Sequence, residues 1–274
     1  MAERTMTERT MTDRAMTDRT VLAPHRVLDL NADLGESYGP YRYGHDEELM
    51  SLVSSANVAC GFHAGDPRTM REAVALALDR GVAVGAHMGL PDRLGFGRRT
   101  MEISPQDAYE YSLYQIAALD GFVRARGGRL QHAKAHGALY MMASRDEELA
   151  VAVARAVADV DPTMALYALP GSALDRAGAA QGLPVVKEFF ADRPYDGGDV
   201  VMFGWSYDDI GGPAEAARRV EAMLGDPAFD EVTTVCVHSD TRDAPAIAAA
   251  VRRTLAARDV RLASPRPVTV PSRA

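Results

Sequence analysis

The side chains of this chain that could do chemistry come in seven short bursts, each closing an apolar run: Asn31-Ala-Asp-Leu-Gly-Glu36, Cys60-Gly-Phe-His-Ala-Gly-Asp66, Gly85-Ala-His87, Lys134-Ala-His-Gly-Ala-Leu-Tyr140, Pro170-Gly-Ser172, Lys187-Glu-Phe-Phe-Ala-Asp-Arg193 and His238-Ser-Asp240. Asn31, Asp33 and Glu36 crowd one short segment around Gly35. Carboxylates so placed can ligate a metal, orient a histidine or act as a general base; a plain solvated turn, with Gly35 supplying positive φ, also fits. His63, His87, His136 and His238 each follow a different apolar run. Imidazole titrates near neutrality, so the four suit acid–base work. They could also bind a metal with Asp33, although no His-x-x-x-His or Glu-x-x-His pair on one helix supports that.

Among 30 Lys and Arg residues only Lys134 and Lys187 are lysines, and both stand beside these bursts. Lysine is a compact point charge whose pKa moves readily on burial. Cys60, near His63, reads as a buried thiol rather than a nucleophile. Gly95-Phe-Gly-Arg-Arg99 could hold a phosphate or carboxylate on Arg98 or Arg99, or be an ordinary surface loop. The chain has no Gly-x-x-x-x-Gly-Lys-Ser/Thr phosphate loop and no Gly-x-Ser-x-Gly nucleophile turn.

The elements that must position these groups alternate. Strands are expected at 27–30, 55–59, 82–84, 130–133, 164–168, 184–186 and 232–237. Asp66-Pro67 and Ser104-Pro105 open helices, with a capping side chain before a first-turn proline. Met70, Ala73, Val74, Ala77 and Leu78 form a helical stripe, as do Leu149, Ala152, Val153, Ala156 and Val157. Further helices are expected after Gly171, from Pro213 to about Leu224, and through Ile247, Ala250, Val251 and Leu255. Residues 188–212 read as a long irregular segment holding the only tryptophan, Trp205. Alternating β and α elements imply a parallel sheet, and seven units suggest an irregular barrel, although an open sheet is also compatible. In a barrel the loops after the strands gather on one rim and carry the active site.

Residues 1–24 are a degenerate polar repeat, Glu3-Arg-Thr-Met-Thr7 and its copies, expected to be disordered. Residues 25–262 read as one barrel domain and 263–274 as a loose tail. The net charge of −8 argues against nucleic acid and against an anionic membrane as partners. No apolar run of about 18 residues spans a bilayer. Two cysteines make no disulfide framework, which fits a reducing cytoplasm.

Taken together, Asp29-Leu-Asn-Ala-Asp-Leu-Gly-Glu36, Ala56-Asn-Val-Ala-Cys-Gly-Phe-His-Ala-Gly-Asp-Pro67, Gly85-Ala-His87, Pro91-Asp-Arg93 with Gly95-Phe-Gly-Arg-Arg99, His136-Gly-Ala-Leu-Tyr140, Phe190-Ala-Asp-Arg193 and Cys236-Val-His238 with Asp240-Thr241 resemble the LamB/YcsF family, the family of 5-oxoprolinase A subunits. The likeness runs from about Val27 to about Val260. It implies a seven-stranded β/α barrel of the kind shared with polysaccharide deacetylases. It also implies ATP-dependent opening of 5-oxo-L-proline, a small-molecule substrate, to L-glutamate, with partner subunits B and C. The chain departs from the family pattern at Met88-Gly89-Leu90 (Pro-Ser-Tyr in the family), Ala135 (Pro), Met141 (Asn), Ser239 (Gly), Arg242 (Pro) and across 200–212. These positions bear on the exact substrate more than on the fold.

On this reading Asp33, Glu36, His63, Lys134, His136 and Glu188 are the candidate catalytic residues. Asn31, His87, Arg98, Asp192, Arg193, His238 and Asp240 are the candidate substrate-binding residues. Lys134 or Arg193 would hold the substrate carboxylate or an oxyanion, Asp33, Glu188 or His136 would activate water, and His63 or His238 would protonate the leaving nitrogen. ATP is the expected cofactor, and a divalent metal stays open. Two other readings are a metal-dependent amidase or deacetylase working without ATP, and a non-catalytic binding subunit.

Overall fold

The structure, a computed structural model, describes residues 26–196 and 198–265. The repeat expected at 1–24 and most of the expected tail lie outside the described residues. Seven strands form the frame: β1 (Val27–Leu34), β2 (Ser55–Ala59), β3 (Ala83–Met88), β4 (His132–Ala135), β5 (Ala165–Ala168), β6 (Val185–Phe190) and, late in the chain, β9 (Thr234–His238). They pair in parallel in that order, and β9 pairs with both β6 and β1, closing a seven-stranded barrel. A two-residue strand β10 (Arg261–Leu262) adds to the start of β1. The hairpin β7 (Tyr195–Asp196) and β8 (Asp199–Val200) stands apart as a separate two-stranded sheet.

Between the strands run α1 (Asp46–Leu49), α2 (Pro67–Asp79), α3 (Pro105–Ala125), α4 (Gly137–Arg145), α5 (Glu147–Val160), α6 (Ala173–Ala180), α7 (Tyr207–Ile210), α8 (Gly212–Gly225) and α9 (Ala244–Ala257). Their starts follow the local sequence. The Asp66 side chain accepts from the Thr69 amide ahead of Pro67, and Ser104 and Asp107 form a reciprocal capping box ahead of Pro105. The expected α5 stripe from Leu149 to Val157 is buried throughout.

The usual arrangement, branched aliphatics inside the barrel, is inverted here. Along β1, Leu28, Leu30, Ala32 and Leu34 join the apolar core beneath the helices. The alternate residues Asp29, Asn31 and Asp33 bond instead to side chains of β2, β5, β6 and β9 across the barrel. Strand residues alternate faces, so one face feeds an apolar jacket and the other a polar interior.

This inversion corrects four expected strand limits. β1 runs to Leu34 rather than stopping at 30, β3 reaches Met88, β4 is shifted to His132–Ala135, and β6 extends to Phe190. Asn31, Asp33, His87, Lys134 and Glu188 therefore lie on strands rather than in loops after them. Cys236, expected at a strand end, lies within β9. Polar residues normally mark a strand's exit to solvent; here they continue inward, where hydrogen bonds satisfy them.

Candidate functional site

The floor of the barrel is a carboxylate held by hydroxyls. Asp29 accepts from Ser54 and Ser55 at 2.6 and 2.7 Å, and from Thr234 and Tyr167 at 2.6 and 2.8 Å. Burial pushes its pKa up against those bonds.

One layer higher, the Asn31 amide donates to Thr234 and Glu188, and Asn57 donates to Asn31 and Asp33 at 2.7 and 2.8 Å. His132 Nε2 lies 2.7 Å from the Asn57 side-chain oxygen, and its ring stacks on Tyr167. Register explains the meeting: Asp33 is opposite Asn57, Asn57 opposite Gly85, and Gly85 opposite His132. A Cβ on Gly85 would stand 2.1 Å from the His132 ring, so this position must be glycine for the histidine to lie inside.

The Lys134 ammonium sits in the middle of this layer. It contacts Glu188 at 2.8 Å, Asp33 and Asn31 at 3.3 Å, and Cys236 Sγ at 3.0 Å. Burial opposes its charge, but Asp33 and Glu188 outweigh that and hold its pKa well above the usual value. Lys134 is thus a fixed buried cation rather than a base. Tyr140 donates to the other Glu188 oxygen at 3.1 Å.

At the mouth, Asp33 Oδ2 faces His87 Nε2 at 3.3 Å and His238 Nε2 at 3.7 Å. Burial pushes the Asp33 carboxyl up, yet His87, Lys134 and His238 outweigh this and hold it well below the carboxylate range. His238 is aimed by Asp192, which accepts from its Nδ1 and from its backbone amide, both at 2.9 Å. Asp192 also accepts from Thr241 at 2.6 Å and forms an ion pair with Arg193 at 3.1 Å. Its pKa lies below the usual range because Arg193 and His238 overcome the effect of burial.

Asp240 links Arg98, at 2.6 Å, with Arg193, at 3.9 Å. The Arg193 guanidinium packs over the Trp205 ring, and its Nε has no hydrogen-bond partner. Glu36 accepts from Ser239 at 2.7 Å and faces His63 Nε2 at 3.7 Å. Burial, with Asp33 and Asp240 adding to it, pushes the Glu36 carboxyl well above its ordinary value.

His63 and His136 stack with centroids 3.8 Å apart. Both are held well below the usual imidazole pKa, chiefly by burial. His136 Nε2 lies 2.7 Å from the Phe96 carbonyl, and its Nδ1 faces His87 Nε2 at 2.9 Å. Phe96 adopts a left-handed conformation and Gly97 lies against both rings, so the glycine-rich loop serves to seat the histidine pair.

All thirteen residues singled out in the sequence fall into this one network. Asp33, His87, Arg98, Lys134, His136, Arg193 and His238 line a single cavity, and Asn31, Glu36, His63, Glu188, Asp192 and Asp240 join it through the contacts above. Met202 and Phe203 also line this cavity, whose volume of about 10 Å³ is room for one water. Three features fall outside. Lys187 pairs with Asp175 and Glu231 on the outer surface. Arg99 turns away to Asp92, so of the two loop arginines only Arg98 reaches the site. Desolvation pushes the buried Cys60 thiol up to about 12, which keeps it in the protonated form. The sequence reading missed Asp29, Asn57, His132, Tyr140 and Ser239. Its overlooked signal was the polar residue at every second position of β1, β2 and β4.

Residues 28–270 match the LamB/YcsF family. The protein named as the 5-oxoprolinase A subunit from Geobacillus kaustophilus is 47% identical over 251 residues, covering 88% of this chain and 98% of its own length. The protein of the same name from Methylococcus capsulatus is 49% identical over 249 residues, covering 87% and 96%. The crystal structure of the lactam utilization protein from Thermus thermophilus superposes with a TM-score of 0.79 at 46% identity, covering 86% of this chain and 99% of that one.

Proposed function

The chain belongs to the LamB/YcsF family, and from that membership together with the polar barrel interior we propose that it is the A component of an ATP-dependent 5-oxoprolinase, opening the lactam of 5-oxo-L-proline to give L-glutamate. The substrate comes from the names of near-full-length relatives. The chemistry rests on one observation: His238 is locked at Nδ1 by Asp192 and presents Nε2 to the cavity beside the anionic Asp33.

A lactam is a stable amide, so its carbon needs activation before water can add. ATP supplies that activation by phosphorylating the lactam oxygen. The sequence has no phosphate loop, and we assign the nucleotide to the assembly with subunits B and C. In this chain His238 takes the proton of the attacking water and returns it to the ring nitrogen as the C–N bond opens, as a single oriented imidazole can; that opening leaves the side-chain acyl phosphate, which a second water hydrolyses to L-glutamate and inorganic phosphate. Asp33, poorly basic because it is so strongly held as an anion, stabilises the imidazolium formed between the two events. Lys134, anchored by Glu188, keeps Asp33 ionised. Arg98 and the Arg193 Nε–H receive the substrate carboxylate. A cavity of about 10 Å³ holds one water, so admitting a ligand of this size requires its lining, Met202 and Phe203 among it, to move. The free cysteines fit a reducing cytoplasm.

The test is release of glutamate and ADP from 5-oxo-L-proline plus ATP, by this chain alone and with B and C subunits. Equal release of both products only in the full set is expected. ATP hydrolysis by the full set without glutamate would remove 5-oxo-L-proline as the substrate and point to another lactam or amide.

A further inference from the structure

The proton inventory of two histidines leads to a second kind of ligand. A backbone carbonyl only accepts, so His136 Nε2, 2.7 Å from the Phe96 oxygen, carries its hydrogen. The same rule places a hydrogen on His87 Nδ1, 3.2 Å from the Lys134 oxygen. In neutral rings the remaining lone pairs are then on His136 Nδ1 and His87 Nε2, and these two atoms face each other at 2.9 Å. Two lone pairs repel at that separation, so a proton or a metal cation belongs between them, and the Asp33 carboxylate 3.3 Å from His87 Nε2 favours positive charge there. A carbonyl on the far nitrogen and a lone pair on the near one is also how metal-ligating imidazoles are oriented.

A second observation stands beside the pair. His63 is buried to 1% exposure, and neither of its ring nitrogens has a hydrogen-bond partner. It belongs to a group of four, with Glu36, His87 and His136, whose ligand atoms all lie within 4.8 Å of one another. Gly89 and Gly97 fit against these rings so closely that a Cβ on either would come within 2.5 to 2.8 Å of them. The surrounding cluster also carries more carboxyl groups (Asp33, Glu36, Glu188, Asp192 and Asp240) than fixed cations (Lys134, Arg98 and Arg193).

We propose that His87 Nε2 and His136 Nδ1, with Glu36 and His63, hold a divalent transition-metal ion of the zinc, cobalt or manganese class at the mouth of the barrel. Nitrogen and oxygen donors without thiolate select that class. Nitrogens about 2.0–2.1 Å from a tetrahedral ion stand about 3.3 Å apart, so the observed pair opens by a few tenths of an ångström. His63 joins only by turning. Its ring lies at 4° to that of His136, and an ion in the plane of one ring is out of the plane of the other. No hydrogen bond to its nitrogens has to break for that turn, although the ring must shift against Gly89 and His136. The neighbouring group Asp33, Cys236 and His238 is not the site, because the Lys134 ammonium already contacts both Asp33 and Cys236 and repels a second cation.

The test needs no turnover, so it stands or falls apart from the 5-oxoprolinase reading. The full chain is stripped with a chelator and titrated with cobalt(II). One equivalent is expected to give a visible ligand-field band that zinc displaces. His87→Ala and His136→Ala should each weaken cobalt binding at least 100-fold, with circular dichroism confirming the fold, and Cys236→Ser should leave it unchanged. If the wild-type chain shows no band and retains no cobalt or zinc through gel filtration, the site is refuted. Loss of binding in Cys236→Ser with retention in His87→Ala would refute it equally.

Discussion

His132 shows how a single buried side chain sets a property of the whole fold. Desolvation lowers its pKa from 6.5 to about 3, and the Lys134 charge adds to that. Between these values the unfolded chain takes up a proton that the folded chain refuses, so stability is full above pH 6.5 and is lost as pH falls toward 3. His63 and His136 shift in the same direction and add to the effect. One such group accounts for about 2 kcal/mol between pH 7.5 and 5, at about 1.4 kcal/mol per unit. Urea unfolding at those two pH values should show a steep loss in the wild type and a loss smaller by about that amount in His132→Gln. Equal losses would mean that the histidine is not held neutral. The sequence did not single out His132, because an isolated histidine beginning an apolar run carries no motif. Asp33, His87, Lys134 and His238 were legible since each belongs to a motif string, but their surroundings were not: only the contacts show that Lys134 is pinned by two carboxylates and that His136 Nδ1 faces His87 Nε2.

At the scale of elements, glycine placement decides what the strands can carry inside. β3 has Gly85 opposite His132, and the ring occupies the space that a Cβ would need. Gly85→Ala is expected to destabilise the protein by about 1–3 kcal/mol, as overpacking does in a tight interior. Adding His132→Ala should recover much of that loss, because the second change vacates the space. Thermal or urea unfolding of the two single variants and the double variant measures this coupling; strict additivity would contradict the packing. The helices were readable from their caps and stripes, since those signals are local. Strand ends at Leu34, Met88 and Phe190 were not, because Asp33, His87 and Glu188 look like exits to solvent unless the far side of the barrel is known to bond them.

For the whole molecule, the sequence supplied the count of seven units and their parallel order, and barrel closure came from the pairing of β9 with β1. That closure brings Asp192 and His238, 46 residues apart, against Asp33 near the other end of the chain. It joins the first and last strands of the barrel in the proposed catalytic centre. No described helix is long and apolar enough to cross a membrane, and both groups of residues that could hold a metal ion among the described residues lie in this site. The most direct measurement of the central claim is glutamate release from 5-oxo-L-proline and ATP by the complex containing His238→Gln in place of the wild-type chain. A fall of about 10²–10⁴-fold, the usual cost of losing a general acid–base, is expected with assembly and melting temperature retained. Wild-type turnover by that complex would contradict the assignment of ring opening to this barrel.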